Sequence, residues 1–269
     1  MRGASLAVAL ASGALALATF TTPALAQSHP AIETRTQAFR SLPFWPGYWV
    51  SESMAGTSIS GISSAASLTG SAGNGRGMLI ALMWDTTSWN EEGLRRVAAQ
   101  RAQLNSRKSL GWGYPMMMNS GTPLAFVITP ELVLIANAYN EIRYVYTDGR
   151  TMPAEDDMWP TTWGTSIGHW EGETLVVETR MVKDPSQFFQ AAPPFSEAAL
   201  YEERFTLDGE RLLMEFTVTD PTTLREPYHA SFSYVREEAF DRMIQVDWDN
   251  DRTGNDGSVN TIEAVAVGQ

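Results

Sequence analysis

The chain has 269 residues, with 31 acidic against 19 basic side chains, a formal net charge of −12 and no cysteine. An acidic surface repels nucleic acid and anionic headgroups, which excludes nucleic acid as a partner. The missing thiols exclude a cysteine nucleophile, a thiolate zinc site and thiol redox chemistry, so an apolar core must hold the fold, and a chain of this length can bury one.

At the N-terminus, Arg2 precedes an apolar run at 6–20 and then Ala24-Leu25-Ala26, a small-x-small pattern. This reads as a signal peptide over 1–26, cleaved after Ala26, because the run is shorter than the ~20 residues of a membrane span. No later segment is apolar enough to cross a bilayer, so the expected location is the periplasm or the exterior. Residues 27–269 are expected to form a single β-rich domain.

Residues 27–42 are polar and read as a loose arm. In Phe44-Trp45-Pro46-Gly47-Tyr48-Trp49-Val50, proline and glycine set a turn between aromatics that would seal a core. The Gly47–Trp49 element resembles the Gly-x-Trp opening strand of lipocalin-like barrels. Residues 55–77, rich in Ser, Gly and Ala, read as a loop. An apolar run follows at 78–84. Residues 90–108 read as a helix: Asn90 can cap it, Glu91 and Glu92 suit its first turn and arginines follow. Leu94, Val97, Ala98, Arg101 and Leu104 share one stripe, only partly apolar, which makes it a surface helix. Met116-Met117-Met118 suits an irregular gap in a core, the alternative being an adaptable ligand surface.

From Pro123 the pattern becomes short strands at 124–128, 132–138, 143–146, 174–180, 201–207, 212–219, 229–236 and 243–248. Asp208-Gly209 is the strongest hairpin signal, and Trp170-Glu171-Gly172-Glu173 reads as a second tight turn. Strands recurring about every ten residues without intervening helices predict a mainly β fold. The expected architecture is an antiparallel meander closing into a lipocalin-like barrel or a curved sandwich, with one surface helix. The chain carries 9 Trp, 8 Tyr and 11 Phe; these suit a tightly packed β core, an aromatic-lined pocket for a flat or apolar ligand, or both.

The standard nucleophile-elbow, zinc-protease, P-loop and dinucleotide motifs are missing. Gly73-x-Gly75-x-Gly77 lies in the Ser/Gly stretch without Rossmann spacing. Asp247-Trp248-Asp249-Asn250-Asp251 lacks the glycine and terminal glutamate of a calcium loop. His169 and His229 belong to no close ligand pair, so no metal and no cofactor is expected.

The densest polar constellation runs from Tyr144 to Glu178. Two of its stretches are Tyr146-Thr147-Asp148-Gly149-Arg150 and Trp163-Gly164-x-Ser166-Ile167-Gly168-His169-Trp170-Glu171-Gly172-Glu173-Thr174-Leu175-Val176-Val177-Glu178-Thr179. Glu203-Arg204-Phe205 and Asp220-Pro221…Pro227-Tyr228 follow. Together they resemble a large family of exported bacterial proteins with a "YTDGR…GxSIGxWEGDTLVVDT" stretch. The resemblance covers roughly 123–234 and implies export but no general activity. Arg180-Met181-Val182-Lys183-Asp184 replaces the usual continuation, and Tyr228 stands where Trp is common.

The constellation has two physical readings. In the structural one, Asp148 shapes a turn, Arg150 pairs with a carboxylate and Trp170 caps the core. In the functional one, His169 enters a strand beside an aromatic pocket and exchanges protons near neutral pH. Asp148 or Glu171 would orient it, Tyr146 or Arg150 would stabilise an oxyanion, and His229 would be the reserve base. Trp163, Trp170, Glu171 and Tyr228 would line the ligand site. The leading functional expectation is therefore a cofactor-free lyase, isomerase or hydratase acting on a small apolar or aromatic molecule. A non-catalytic carrier using the same cavity and a structural envelope module are the alternatives.

Overall fold

The computed structural model describes residues 32–52, 87–103, 109–119, 122–238 and 240–243. The expected signal peptide, the 55–77 loop, the 78–84 run, residues 104–108 of the expected helix and nearly all of the expected strand at 243–248 lie outside the described residues.

Nine strands close into a barrel: β1 (Trp49–Ser51), β2 (Leu124–Ile128), β3 (Leu132–Asn137), β4 (Ile142–Tyr146), β5 (Thr165–Glu171), β6 (Thr174–Arg180), β7 (Leu200–Asp208), β8 (Arg211–Thr219) and β9 (Tyr228–Arg236). β1 returns to pair antiparallel with β9, with Val50 opposite Val235. An odd ring cannot alternate strand direction all the way round, so at least one ladder must be parallel. It is β4–β5, a short ladder of Val145 with Ser166 and Tyr146 with Ile167. The segment 147–164 supplies the long crossover that a parallel pair needs. The Asp208–Arg211 pair closes the β7–β8 hairpin around Gly209 and Glu210, and Gly209 takes the positive φ of 60° that this tight turn demands.

Strand alternation sorts the side chains. On β6, Leu175, Val177 and Thr179 face in; on β7, Tyr201, Glu203 and Phe205 do. The hairpin end of the barrel is filled by Trp45, whose ring meets Phe126 and Trp170 edge-on, each at 5.5 Å. At the other end, residues 109–119 pack inside. Met116, Met117 and Met118 are buried, as gap-filling core residues should be. The Tyr234 hydroxyl donates to the Met118 carbonyl at 2.7 Å.

Two α-helices accompany the barrel among the described residues. α1 (Ile32–Arg40) occupies the polar arm that the sequence suggested was irregular, and its described side chains are mostly exposed. α2 (Glu91–Gln103) is the expected surface helix. Asn90 caps it, accepting the Gly93 N–H at 2.9 Å while its own amide donates to the Thr222 carbonyl at 3.0 Å. The stripe is rotated from the one read in the sequence: Gly93 and Val97 are buried and Leu94 is half exposed. The cause is docking. A Cβ at Gly93 would stand 2.3 Å from the Thr223 carbonyl oxygen, so the missing side chain is what lets α2 lie against that backbone.

Asp220 ties this corner together. Its buried carboxylate accepts from the Ser196 N–H and hydroxyl, both at 2.7 Å, and from the Thr222 N–H at 3.0 Å and the Thr223 hydroxyl. The segment 184–199 is thereby held beside α2.

Candidate functional site

The nine residues singled out in the sequence do not assemble into one site. β5 is a regular strand, not an irregular entry, and its alternation points Ser166, Gly168 and Trp170 inward and His169 outward. His169 Nε2 lies 3.2 Å from Glu171 Oε1, and Glu171 Oε2 accepts from Arg204 at 2.8 Å, all on the exposed outer wall. Hydrogen bonds from Arg204 first, then His169, hold the Glu171 carboxyl below its ordinary pKa. Of the two expected orienting acids, only Glu171 touches the ring.

Asp148 and Arg150 pair with each other in the turn after β4, Arg150 donating to both carboxylate oxygens (2.8 Å from Nε, 2.6 Å from Nη2). Those bonds hold the Asp148 carboxyl below its usual range. Arg150 also stacks over the Tyr146 ring at 4.1 Å. The three form a turn cluster, with Asp148 and Arg150 in the turn and ion-pair roles of the structural reading. His229 is exposed on the outer wall of β9, its Nδ1 2.9 Å from the Thr217 hydroxyl. Four strand spacings separate β5 from β9, about 19 Å along the wall at ~4.8 Å each, so the histidines share no site.

The expected ligand-binding aromatics pack against the chain itself. Trp163 meets Phe188 edge-on at 6.1 Å, Trp170 meets Trp45, and Tyr228 is buried in the core. Glu171 belongs to the outer ion cluster. The expected aromatic-lined hollow is therefore filled by core side chains at these positions.

The densest buried polar chemistry lies elsewhere. Arg143 and Glu203 face each other inside the barrel, both side chains fully buried, joined by two hydrogen bonds, the Nη1–Oε1 one at 3.0 Å. Arg143 also donates to Ser166 (3.2 Å) and Thr179 (2.7 Å), whose hydroxyls bond each other at 2.8 Å. Its guanidinium sits 4.1 Å from the Tyr114 ring centroid. Burial opposes this charge, yet Glu203 and Tyr114 beside it hold the guanidinium pKa above its ordinary value. Sequence reasoning did not single out this pair. The signal was a charge in the inward phase of each strand: Arg143 two before Val145, and Glu203 between Tyr201 and Phe205.

Accessible concavity is found between α2 and the segment 184–194, a groove of ≈ 210 Å³. Arg95, Arg96, Ala99, Gln100 and Gln103 line one side; Asp184, Ser186, Gln187, Gln190 and Pro194 line the other. Two details define its chemistry. The Gln100 amide nitrogen donates across the groove floor to the Gln190 and Ala192 carbonyls at 2.6 and 2.5 Å, which fixes the side chain. Its Oε1 is then buried with no hydrogen-bond partner among the described residues. Arg96 gives its Nε to Glu92 at 2.7 Å, and among the described residues its terminal nitrogens have no partner. Hydrogen bonds from Arg95 and Arg96 pull the Glu92 carboxyl down to about 2, so this end of the groove keeps one net positive charge. Asp184 stands across from it, accepting the Ser186 N–H at 2.9 Å.

Sequence reasoning missed the groove, because a glutamine on a surface helix carries no signal until a segment distant in the chain packs over it. Among the described residues, no cluster of three His, Asp or Glu could hold a metal ion. No helix of the described residues is long and apolar enough to cross a membrane. The chain matches no known family model, no curated protein and no solved structure.

Proposed function

We propose that this chain is a non-catalytic binding barrel, exported by its N-terminal leader, and that its ligand site is the groove between α2 and the segment 184–194. The observation that carries this reading is the groove itself, an open concavity that sets the Arg96 guanidinium, whose terminal nitrogens have no partner among the described residues, opposite Asp184. An arginine guanidinium can only donate, so its unpaired end suits an anionic acceptor.

The acid–base reading has less support. It needs His169 beside a hollow, and the ring stands on the outer wall between Glu171 and solvent. The carrier reading survives the move from an aromatic interior to a polar surface groove.

The test is a titration with a panel of small polar acids, amides and polyols, followed by amide chemical shifts. Ligand-induced shifts should cluster at residues 95–103 and 184–194. Ala99→Trp, which fills the groove from an exposed helix position, should abolish them while circular dichroism stays unchanged. Shifts that cluster elsewhere, or that survive Ala99→Trp, refute the assignment. Export is checked separately: the protein recovered from a periplasmic fraction should begin at Gln27 by mass spectrometry.

A further inference from the structure

Independently of the groove, we infer that the outer face of β2, β3 and β4 is a self-association surface, and that its partner is a second copy of this chain packed face to face about a two-fold axis. Strand register builds the surface. Ala125 stands opposite Ala136, and Ala136 opposite Ile142, which makes one row across the three strands. Val127 stands opposite Leu134, and Leu134 opposite Tyr144, which makes a second row two residues along. All six point outward, because the residues that alternate with them are buried. Val127, Ile142 and Tyr144 are 52%, 42% and 51% exposed. A contiguous apolar patch of this kind on an outer wall marks a contact surface.

Charge narrows the partner. The six residues are uncharged, whereas the outward positions of β5, β6, β7 and β8 carry Glu171, Glu178, Glu202 and Glu215. The chain has a net charge of −12. Two copies meeting through the charged wall would set carboxylates against carboxylates; meeting through β2, β3 and β4, they do not. The same net charge opposes docking on an anionic lipid surface.

Shape then selects a second copy. Over β2 and β3 the first row is a trough floored by two alanine methyls, and the second row is a ridge of Val127, Leu134 and Tyr144. Take a two-fold axis lying in the face, across the strands and between the rows. It sets the ridge of each copy over the trough of the other: Leu134 of one copy faces Ala136 of the other, and Val127 faces Ala125. Large side chains interdigitating with small ones is how stacked sheets pack. Such a contact uses the same patch twice, so it closes at two copies. The rows lie about 7 Å apart and span two strand spacings, about 10 Å. That face is smaller than the ~800 Å² each partner buries in a standard interface, so the dimer is weak, with Kd between about 10 μM and about 1 mM.

Sedimentation equilibrium of the full chain between those concentrations tests this. Monomer should give way to dimer and to nothing larger. Raising the salt from about 0.05 M to about 0.5 M should tighten the dimer, because it screens the repulsion between two acidic chains. Leu134→Glu puts a charge on the ridge and Ala136→Phe fills the trough; each should weaken association about tenfold or more. Leu213→Glu, at an exposed outward position of β8, should leave it unchanged. Circular dichroism checks the fold of each variant, and Tyr144→Glu, at a half-exposed position, replaces Leu134→Glu if that chain does not fold. A chain still monomeric at about 1 mM, growth beyond the dimer, a dimer that either face variant leaves intact, or one that salt weakens overturns the inference.

Discussion

Glu203 and Arg204 are consecutive in β7, yet they stand on opposite sides of one wall. Glu203 faces in, fully buried against Arg143. Arg204 faces out, 44% exposed, and pairs with Glu171 beside His169. Both are ion pairs anchored on the same strand, and of their four members the sequence reading singled out only Glu171, on the outer side. The comparison shows that burial, not the number of polar residues gathered in a stretch, decides which pair the fold depends on. Outside, water screens the charges and leaves both partners solvated when the pair breaks. Inside, removing one partner strands the other in a medium that cannot hydrate it.

The largest expected effect follows from that asymmetry. Arg143→Met leaves Glu203 buried and unpaired and should cost about 3–5 kcal/mol, a large share of the ~5–15 kcal/mol that stabilises a typical domain. Replacing both partners, Arg143→Met with Glu203→Met, should recover most of the loss, because well-packed apolar side chains can substitute for a buried pair. Urea unfolding of the two variants measures this, and equal losses in single and double would mean that the pair is not coupled. Next come two tyrosines. The Tyr234 hydroxyl donates to Met118, so Tyr234→Phe should cost about 1 kcal/mol. The Tyr201 hydroxyl is buried without a partner among the described residues. Tyr201→Phe should therefore gain about 1 kcal/mol. A loss at Tyr201 instead would show that its hydroxyl has a partner, and would sharpen the map of the interior.

The wall was far easier to read in the sequence than what it encloses. The strands at 124–128 and 174–180 are the observed β2 and β6, because alternation and flanking turn residues mark them locally. β5 escaped notice because glycine and histidine in its middle suggested irregularity. The structure gives Gly168 a packing reason: a Cβ there would stand 2.8 Å from Val145 across the β4–β5 ladder. The parallel ladder follows from the strand count alone, once the count is known. The site was not legible for a different reason. Alternation says which residues face in, so Arg143 and Glu203 could have been flagged as charges in an apolar phase. It does not say which distant segment covers Gln100. That depends on Asp220 holding 196 and Asn90 holding 222, contacts between residues far apart in sequence.

The smallest effects are the most diagnostic of inside against outside, because their signs differ. Glu171, on the outer wall, has its carboxyl pulled below the ordinary 4.5 chiefly by the hydrogen bond from Arg204. Its contribution to stability is present above that value and is lost as pH falls through the folded-state value. Glu141 is buried in the β3–β4 turn, accepting from the Trp112 N–H at 2.7 Å, the Gly113 N–H at 3.1 Å and the Asn137 amide at 2.6 Å. Burial raises its carboxyl above 4.5 despite those bonds. The folded chain then keeps a proton that the unfolded chain has released, so this group lowers stability as pH rises from 4.5 toward the folded-state value. Unfolding midpoints across pH should separate the two. Relative to Glu171→Gln, the natural chain should lose stability toward acid; relative to Glu141→Gln, it should lose stability toward neutral pH. Added salt should erase the first difference, since at 1 M the screening length is about 3 Å, and should leave the second, which comes from desolvation. A salt-sensitive Glu141 would mean that its turn is open to water, and the barrel end held by residues 109–119 would then be looser than its hydrogen bonds indicate.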